Sequence, residues 1–419
     1  MKIKPGWLVL GMAGALTLGW LSLGLQAPEA APAQARAVAN LPALAARTAP
    51  APAPAQTFTL SLSVPEPVLV GGRAERPTVT RRYVLTLTPE QRTALRAGGS
   101  LAPMRVDLDR IYREVEARTP QDLRFVQEGG RWVGRAQTGW KVDRAATEAA
   151  LRRAVGAGAG GSALNVALQA PERSVRWGQA QGLTHLAGGE SSFAGSPAFR
   201  VQNIRVGASR VHGTWVAAGR SFSFNRAVGR ISAANGFVPG YVITGGTLSK
   251  EDGGGICQVS TTVFRAAYGA GLPITERHAH SYQVAYYGDP GMDAAVYAPS
   301  KDLRWRNDTG GPLLVQASWD VKAERLRVDL FGRSDGRQVK VAAPKVSGSR
   351  LAPDPTFVAD PALAAGETRR LDMPAPGARV AVVRQVRLKG GAVREDVTRS
   401  SYRPWGGVFV VAPGDQRLR

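Results

Sequence analysis

The chain contains a single cysteine, and a glycine-rich turn places it at the start of a predicted helix. Cys257 follows Gly253-Gly254-Gly255 by two residues, and apolar side chains then recur at helical spacing. On a helical wheel Cys257 lies roughly 130° from the centre of the apolar stripe. That stripe consists of Ile256, Val259, Val263, Ala266, Ala267 and Ala270. A thiol in the first turn of a helix is easily ionised, so the pattern predicts a reactive thiol; an inert, buried cysteine is the competing interpretation.

The N-terminus has the pattern of an export signal. Basic residues at 1–4 precede an apolar run at 6–25, and residues 27–56 are rich in alanine and proline. Ala33-Gln34-Ala35 offers a cleavage site, but the apolar run is also about long enough to span a bilayer. We therefore expect an exported protein of the cell envelope, either anchored in the membrane or secreted to the wall. Structural cysteines of exported proteins usually come in pairs, so one unpaired thiol favours a reactive role.

The charge balance suggests an anionic partner. The chain has 54 Lys and Arg against 32 Asp and Glu, a formal charge of +22. Such a balance favours anionic wall polymers or a membrane surface over nucleic acid, because an exported chain meets them first and no nucleic-acid recognition motif is present. A solvated, arginine-rich surface without a specific partner is the other interpretation.

Composition and periodicity predict three folded regions after the Ala/Pro-rich tether. The first mixes strands and helices, and the third shows a hairpin around Gly390-Gly391 and no helical period. The middle region has two predicted helices before a run of strands, one of them at Arg277 to Tyr287, and His185 is assigned to a polar interdomain loop.

We therefore expect a multidomain α+β fold, in which one or two helices pack on a central antiparallel sheet. A small α+β module and a C-terminal β module flank that sheet. The predicted segments are 1–26 (signal peptide or anchor), 27–56 (tether), 57–170 (α+β module), 193–335 (central domain) and 338–419 (β module).

Two histidines could act as a base for the thiol. His278 and His280 are separated by one residue in Glu276-Arg277-His-Ala-His280. In a strand both rings would lie on the same face, so the spacing does not show which of them is the base. Asp293 and Asp302 are candidates for the carboxylate that orients the imidazole. The backbone N–H groups of Gly254 and Gly255, with the helix start, could face an oxyanion.

A zinc site formed by the two histidines and the cysteine is the competing interpretation. Helical His-Glu-x-x-His spacing is missing from the sequence, so no metal and no cofactor are expected.

Residues from about 203 to 332 resemble the VanW-domain family. The matching motifs are Phe222-Ser-Phe-Asn225, Val228-Gly229, Gly236-Phe237, Gly253-Gly-Gly-Ile-Cys-Gln-Val-Ser-Thr-Thr262, Glu276-Arg-His-Ala-His-Ser281 and Asp293-Ala-Ala-Val296. The preceding region, especially Gly139-Trp-Lys-Val-Asp143, looks like the peptidoglycan-binding domain that often precedes this one. Where the family commonly has a proline before the valine, this chain has Tyr282-Gln283-Val284, which predicts a different local backbone.

The resemblance implies L,D-transpeptidase chemistry on peptidoglycan stem peptides, as assigned to some family members. It makes Cys257 the nucleophile, with His280 preferred over His278 as base and Asp293 as a further catalytic residue. Substrate-binding or oxyanion roles are expected for Asn225, Gly254, Gly255, Gln258, Ser260, Thr261 and Ser281. A non-catalytic protein that binds peptidoglycan and a cysteine amidase or endopeptidase of stem peptides remain the alternatives. The family name also suggests vancomycin resistance.

Overall fold

The structure is a computed structural model that describes residues 55–244, 247–284 and 287–418. The predicted signal or anchor segment and nearly all of the tether lie outside these residues. Within the described ranges no helix is both long and apolar enough to cross a bilayer. The fold is mixed α+β with antiparallel pairing in most of its sheets, which confirms the predicted fold class.

The first region of the described chain packs three helices against short sheets. The helices are α1 (Pro89–Arg96), α2 (Arg105–Glu116) and α3 (Arg144–Gly156). The strands are β1 (Gln56–Pro65), β2 (Val68–Val70), β3 (Arg73–Glu75), β4 (Thr78–Leu87), β5 (Gln121–Glu128), β6 (Arg131–Gln137), β7 (Gly139–Val142), β8 (Gly161–Ala163) and β9 (Val166–Gln169). Thr88 and Gln91 form a capping box that begins α1, and Asp143 caps α3 by accepting from the Ala146 N–H.

The central region is built on a four-stranded antiparallel sheet. Its helices are α4 (Val175–Gln181), α5 (Ala198–Val211), α6 (Phe224–Val228) and α7 (Ile256–Gly269). Its strands are β10 (Leu183–Ser192), β11 (Thr214–Val216), β12 (Ser221–Ser223), β13 (Pro239–Thr244), β14 (Thr247–Asp252), β15 (Ile274–Glu276), β16 (Arg304–Arg306), β17 (Leu313–Asp320) and β18 (Arg325–Arg333). The sheet runs β10-β18-β17-β11, and α5 and α7 pack against it. Burial of both helices against this sheet forms the largest hydrophobic core among the described residues.

The C-terminal region is entirely β structure within the described residues. Its strands are β19 (Gln338–Val341), β20 (Lys345–Arg350), β21 (Thr356–Ala359), β22 (Thr368–Asp372), β23 (Gly377–Arg387), β24 (Val393–Tyr402) and β25 (Val408–Val411). Strands β23 and β24 form the predicted hairpin, and a second sheet has the order β21-β25-β22.

Hydrophobic packing continues from one region to the next. Phe125 stacks on Phe331 with ring centroids 4.0 Å apart, which joins the first region to the central sheet. Val380 and Val382 of β23 belong to the same core as α7. The buried Arg384 guanidinium lies over the Tyr268 ring at 4.1 Å and donates to the Tyr268 carbonyl, so the C-terminal β module is fixed directly on the helix that carries the cysteine.

Two sequence predictions in the central region are wrong. The strand predicted at Arg277 to Tyr287 is absent from the described residues of that segment, where β15 ends at Glu276 and only His278 pairs, with Ala295. The reason is that the His280 N–H donates to the Asp293 carboxylate, 2.8 Å away, rather than to a neighbouring strand. His185 lies in β10 rather than in a loop, and its Nε2 is 2.7 Å from Asp329 Oδ1.

Candidate active site

The glycine turn fixes where the cysteine helix begins. Gly253 and Gly255 have φ values of +91° and +114°, which L-residues with a side chain rarely adopt. A Cβ on Gly255 would also lie 3.0 Å from Arg200 Cγ. Helix α7 therefore starts at Ile256 and holds Cys257 in its first turn, where the Ile256 and Gln258 N–H groups donate to the Gly253 and Gly255 carbonyls of the turn.

Helix α7 is buried on most of its circumference, including polar side chains such as Gln258, Ser260 and Thr261. Cys257 is an exception and is half-buried. Its Sγ atom lies 3.5 Å from both the backbone N and the backbone O of Val296, and the neighbouring His280 imidazole lowers the pKa of the thiol. The thiol therefore reaches a cleft rather than the core.

His280 links the thiol to a buried carboxylate. Its Nδ1 atom is 2.5 Å from Asp293 Oδ2, which leaves Nε2 for Cys257. The same carboxylate accepts from the His280 backbone N–H, from Arg277 Nη2 at 2.8 Å and from the Tyr402 hydroxyl at 2.6 Å. Only 7% of the Asp293 side chain is exposed. A thiol, an imidazole and an orienting carboxylate thus follow one another, the arrangement of an activated cysteine nucleophile.

The surroundings of these groups favour an ion pair. Burial lowers the pKa of His280, but the hydrogen bonds with Asp293 and Cys257 outweigh it and raise that pKa to about 9. Burial raises the pKa of the Cys257 thiol, while the hydrogen bond and charge of His280 bring it below its ordinary value. Burial also raises the pKa of Asp293, but its bonds to His280, Arg277 and Tyr402 lower it overall. Because each charged form stabilises the other, the two shifts move the pair toward thiolate beside imidazolium.

Two hydroxyl side chains of α7 hold the segment that carries Asp293. Ser260 Oγ donates to the Ala294 carbonyl at 2.5 Å, and the Ala294 N–H donates to Thr261 Oγ1 at 3.0 Å. The neighbouring Ala295 N–H donates to the His278 carbonyl, 2.8 Å away. Both hydroxyls are buried and neither lines the cleft, so Ser260 and Thr261 hold the segment that carries the carboxylate in place relative to the cysteine.

The other predicted residues are distributed as follows. Asn225 and Gly255 line the cleft, and Gln258 lies buried beneath it, where its Oε1 accepts from Arg200. The Gly254 carbonyl accepts from Asn203, and the exposed Ser281 accepts a backbone bond from Arg403.

The two remaining candidates have other partners. His278 Nε2 lies 3.0 Å from Glu276, away from the thiol, and Asp302 accepts from Ser223 and from the Asn225 N–H. Among the described residues no three His, Cys, Asp or Glu side chains gather as a metal ion would require.

The thiol opens into a cleft of about 1000 Å³. Its walls come from the loop before α5, from α6 and the loop after it, from the histidine segment and from β22. Four arginines line it, namely Arg200, Arg230, Arg369 and Arg370, against the carboxylates Asp252 and Asp372. The cleft therefore suits an anionic ligand.

Sequence reasoning missed the aromatic and arginine residues of this cleft. Tyr287 lies with its ring 5.3 Å from that of His280, and Tyr282 stacks on Trp405 at 4.9 Å. Burial raises the pKa of Asp372, whose Oδ2 accepts from Trp405 Nε1 at 3.0 Å. Tyr282 and Tyr287 follow the His-Ala-His motif closely, a signal that could have indicated them, whereas β22 lies far from that motif along the chain.

The fold and the site together define a multidomain α+β protein with a cysteine–histidine–aspartate site. Residues 199–331 match the family model described as VanW like protein, so the chain contains a VanW-like domain. This confirms the family predicted from the motifs. The likeness of the preceding region to a peptidoglycan-binding domain stays a prediction.

Two curated relatives each match part of this chain. The uncharacterized protein YoaR of Bacillus subtilis (strain 168) is 38% identical over 125 residues, 30% of this chain and 41% of its own length. The vancomycin B-type resistance protein VanW of Enterococcus faecalis (strain ATCC 700802 / V583) is 30% identical over 116 residues, 26% of this chain and 42% of its own. The chain thus spans about two fifths of the length of either relative.

Among solved structures, the crystal structure of HP0197-G5 is aligned over 18% of this chain and 99% of its own, with 15% identity and a TM-score of 0.10. A TM-score this low is no basis for assigning a fold to the aligned residues.

Proposed function

We propose that this protein is a cell-envelope acyl transferase of the L,D-transpeptidase type, with Cys257 as the nucleophile acting on peptidoglycan stem peptides. The observation that carries the proposal is that Cys257 and His280 line one arginine-rich cleft, with the His280 imidazole held by the buried Asp293 carboxylate at 2.5 Å. A purely structural cysteine requires neither a paired imidazole nor an open cleft.

In the first step the Cys257 thiolate attacks the carbonyl carbon between the third-position diamino acid and the terminal D-alanine. Protonated His280 gives its proton to the departing amine, so D-alanine leaves and a thioester remains. At the start of α7 the Ile256 and Gln258 N–H groups donate to Gly253 and Gly255, so we assign the oxyanion of the tetrahedral intermediate to the Cys257 N–H. Asp293 keeps the imidazole oriented and stabilises its charged form.

In the second step an amine of a neighbouring stem attacks the thioester carbonyl. Neutral His280 takes the proton of the incoming amine, the thiolate leaves, and a new peptide bond links the two stems. The acyl bond energy is conserved in the thioester, so no nucleotide is consumed outside the cell. Water in place of the amine would give a carboxypeptidase with the same first step.

Three further observations support a wall peptide as substrate. Stem peptides carry several carboxylates, which match Arg200, Arg230, Arg369 and Arg370 in the cleft. The N-terminal sequence predicts export to the compartment that holds peptidoglycan. One relative is named as a vancomycin B-type resistance protein, and we extend that link with vancomycin resistance to this chain.

The test is acyl-enzyme formation on a purified tetrapeptide stem, followed by intact-mass spectrometry of the full chain. We expect an adduct equal to the stem without its terminal D-alanine, carried by Cys257 and absent from Cys257→Ala. Supplying a second stem should release a cross-linked product, whereas release of free tripeptide would identify a carboxypeptidase. Undiminished turnover by Cys257→Ala, or a thiol that stays unmodified while the peptide binds, would overturn the proposal in favour of a non-catalytic binding protein.

A further inference from the structure

We infer that the C-terminal β module forms part of the substrate site, with β22 and its Arg369 and Arg370 side chains binding the carboxylate-bearing stretch of the donor peptide. The identity of the peptide rests on the proposed function. The role of β22 in binding an acidic, extended peptide rests on its position at the cleft and on its arginine side chains.

Strand β22 borders the cleft with its edge. Arg369, Arg370, Leu371 and Asp372 all line the cleft, although a regular strand turns successive side chains to opposite faces. In its sheet β22 pairs with β25 only, so its other edge has no strand partner among the described residues. The pairing shifts register between Arg370 and Asp372, and such bulges turn strand edges and side chains toward neighbouring sites. An extended peptide can therefore lie along this edge.

The position of β22 relative to the catalytic residues is fixed by several contacts. Tyr282, two residues after His280, stacks on Trp405, and Trp405 Nε1 donates to Asp372 at the end of β22. The Arg403 N–H donates to the Ser281 carbonyl at 2.7 Å. Tyr402, at the end of β24, donates its hydroxyl proton to Asp293 itself. The C-terminal β module is thus joined to both sides of the His280 segment.

The positive charge at this edge of β22 favours an anionic ligand. Arg369 and Arg370 are exposed at the cleft, and Arg200 and Arg230 face the same space. Arg369 also pairs with Asp360, whose Oδ2 lies 2.6 Å from its Nη2. Guanidinium groups bind carboxylates in paired, charge-assisted hydrogen bonds, so a peptide with several carboxylates is the ligand that fits.

The test is equilibrium binding of a tetrapeptide stem to the full chain carrying Cys257→Ala, measured by calorimetry. Adding Arg369→Gln and Arg370→Gln together should weaken binding roughly tenfold or more, the loss expected for charged hydrogen bonds. The matched control is Arg387→Gln, which removes an exposed arginine of the same module on β23. A tetrapeptide whose carboxylates are amidated should bind the parent and the double variant equally weakly.

The outcome is separable from that of the proposed function, because Cys257→Ala performs no chemistry. Unchanged affinity in the double variant, an equal loss in Arg387→Gln, or lack of saturable binding by the parent would each overturn the inference. Tight, arginine-dependent binding without acyl-enzyme formation by the native chain would instead support the inference and refute the proposed reaction.

Discussion

The His280 Nδ1 atom lies 2.5 Å from Asp293 Oδ2, and the same carboxylate also receives the His280 backbone N–H. One side chain thereby fixes both the ring and the backbone of the residue that bonds to the Cys257 thiol. Since Arg277 and Tyr402 hold the carboxylate from other directions, the imidazole has little freedom to rotate away from the cleft.

Replacing Asp293 by Asn should make the thiol less reactive. Without the carboxylate the pKa of His280 falls from about 9, and the thiolate loses its cationic partner. We expect the rate of alkylation by iodoacetamide at pH 7 to fall by about tenfold. Asp329→Asn is the control, because Asp329 forms a second His–carboxylate pair with His185, remote from the thiol. Equal rates in the two variants would mean that the carboxylate does not govern the thiol.

The two histidines of the His-Ala-His motif should behave differently. His280→Gln removes the neighbouring cation, so burial, which raises the thiol pKa, is opposed only by the Val296 backbone and the charge of Arg200. We expect the alkylation rate at pH 7 to fall by about 100-fold. The inflection in the dependence of this rate on pH should move to higher pH. His278→Gln should change the rate less than about twofold, because His278 bonds to Glu276. A larger effect of His278→Gln than of His280→Gln would reverse the assignment.

The depressed pKa of Asp293 predicts how acid affects stability. A carboxyl group whose pKa is lower in the folded state than in the unfolded state stabilises the protein at pH values above its unfolded-state pKa. This contribution is lost as the pH falls toward the folded-state pKa. The decrease in the free energy of unfolding caused by Asp293→Asn should therefore be about 1 kcal/mol smaller at pH 3 than at pH 6. Guanidinium unfolding of the parent and the variant at pH 6 and at pH 3 measures this difference. A difference that is the same at both pH values would contradict the folded-state ionisation of this group.

Elements with local signals are predictable from the sequence. Thr88-Pro89 and Asp143 mark helix starts, and Gly129-Gly130 and Gly390-Gly391 mark hairpins, because caps and tight turns are decided by neighbouring residues. The apolar stripe of α7 is predictable for the same reason. Its buried polar side chains are not, since Ser260 and Thr261 bond to a segment more than thirty residues away.

Strand β10 shows why a non-local contact can mislead sequence reasoning. Gly188-Gly189 followed by Glu and two serines is typical of a loop, and this pattern predicts a loop around His185 as well. In the structure Gly189 packs against the backbone of α7 at Thr262, where a Cβ would collide. The glycine is required by helix-on-sheet packing, which no local pattern reveals.

The candidate site is predictable in its components and not in its assembly. The motifs identify Cys257, His280 and Asp293, but the spacing of the two histidines cannot separate them, and Asp302 is an equal candidate for the carboxylate. The choice depends on the irregular backbone after Glu276, which Asp293 itself imposes. The contribution of β22 depends on packing of the C-terminal β module and has no sequence signature near the cysteine.

Replacing Gly255 by Ala should damage both the helix start and the site. The residue has φ +114°, and a Cβ would lie 3.0 Å from Arg200 Cγ and 3.2 Å from Ile204 Cγ1, so backbone strain and crowding add. Gly98→Ala is the matched control: its φ is +81°, with nothing within 4 Å of the added Cβ, and it should cost only about 1 kcal/mol. We expect Gly255→Ala to cost about 2 kcal/mol more than this control, measured by guanidinium unfolding. It should also slow Cys257 alkylation, because the first turn of α7 must move away from His280. Equal costs in the two variants, with the alkylation rate unchanged, would mean that the glycine turn does not set the position of the thiol.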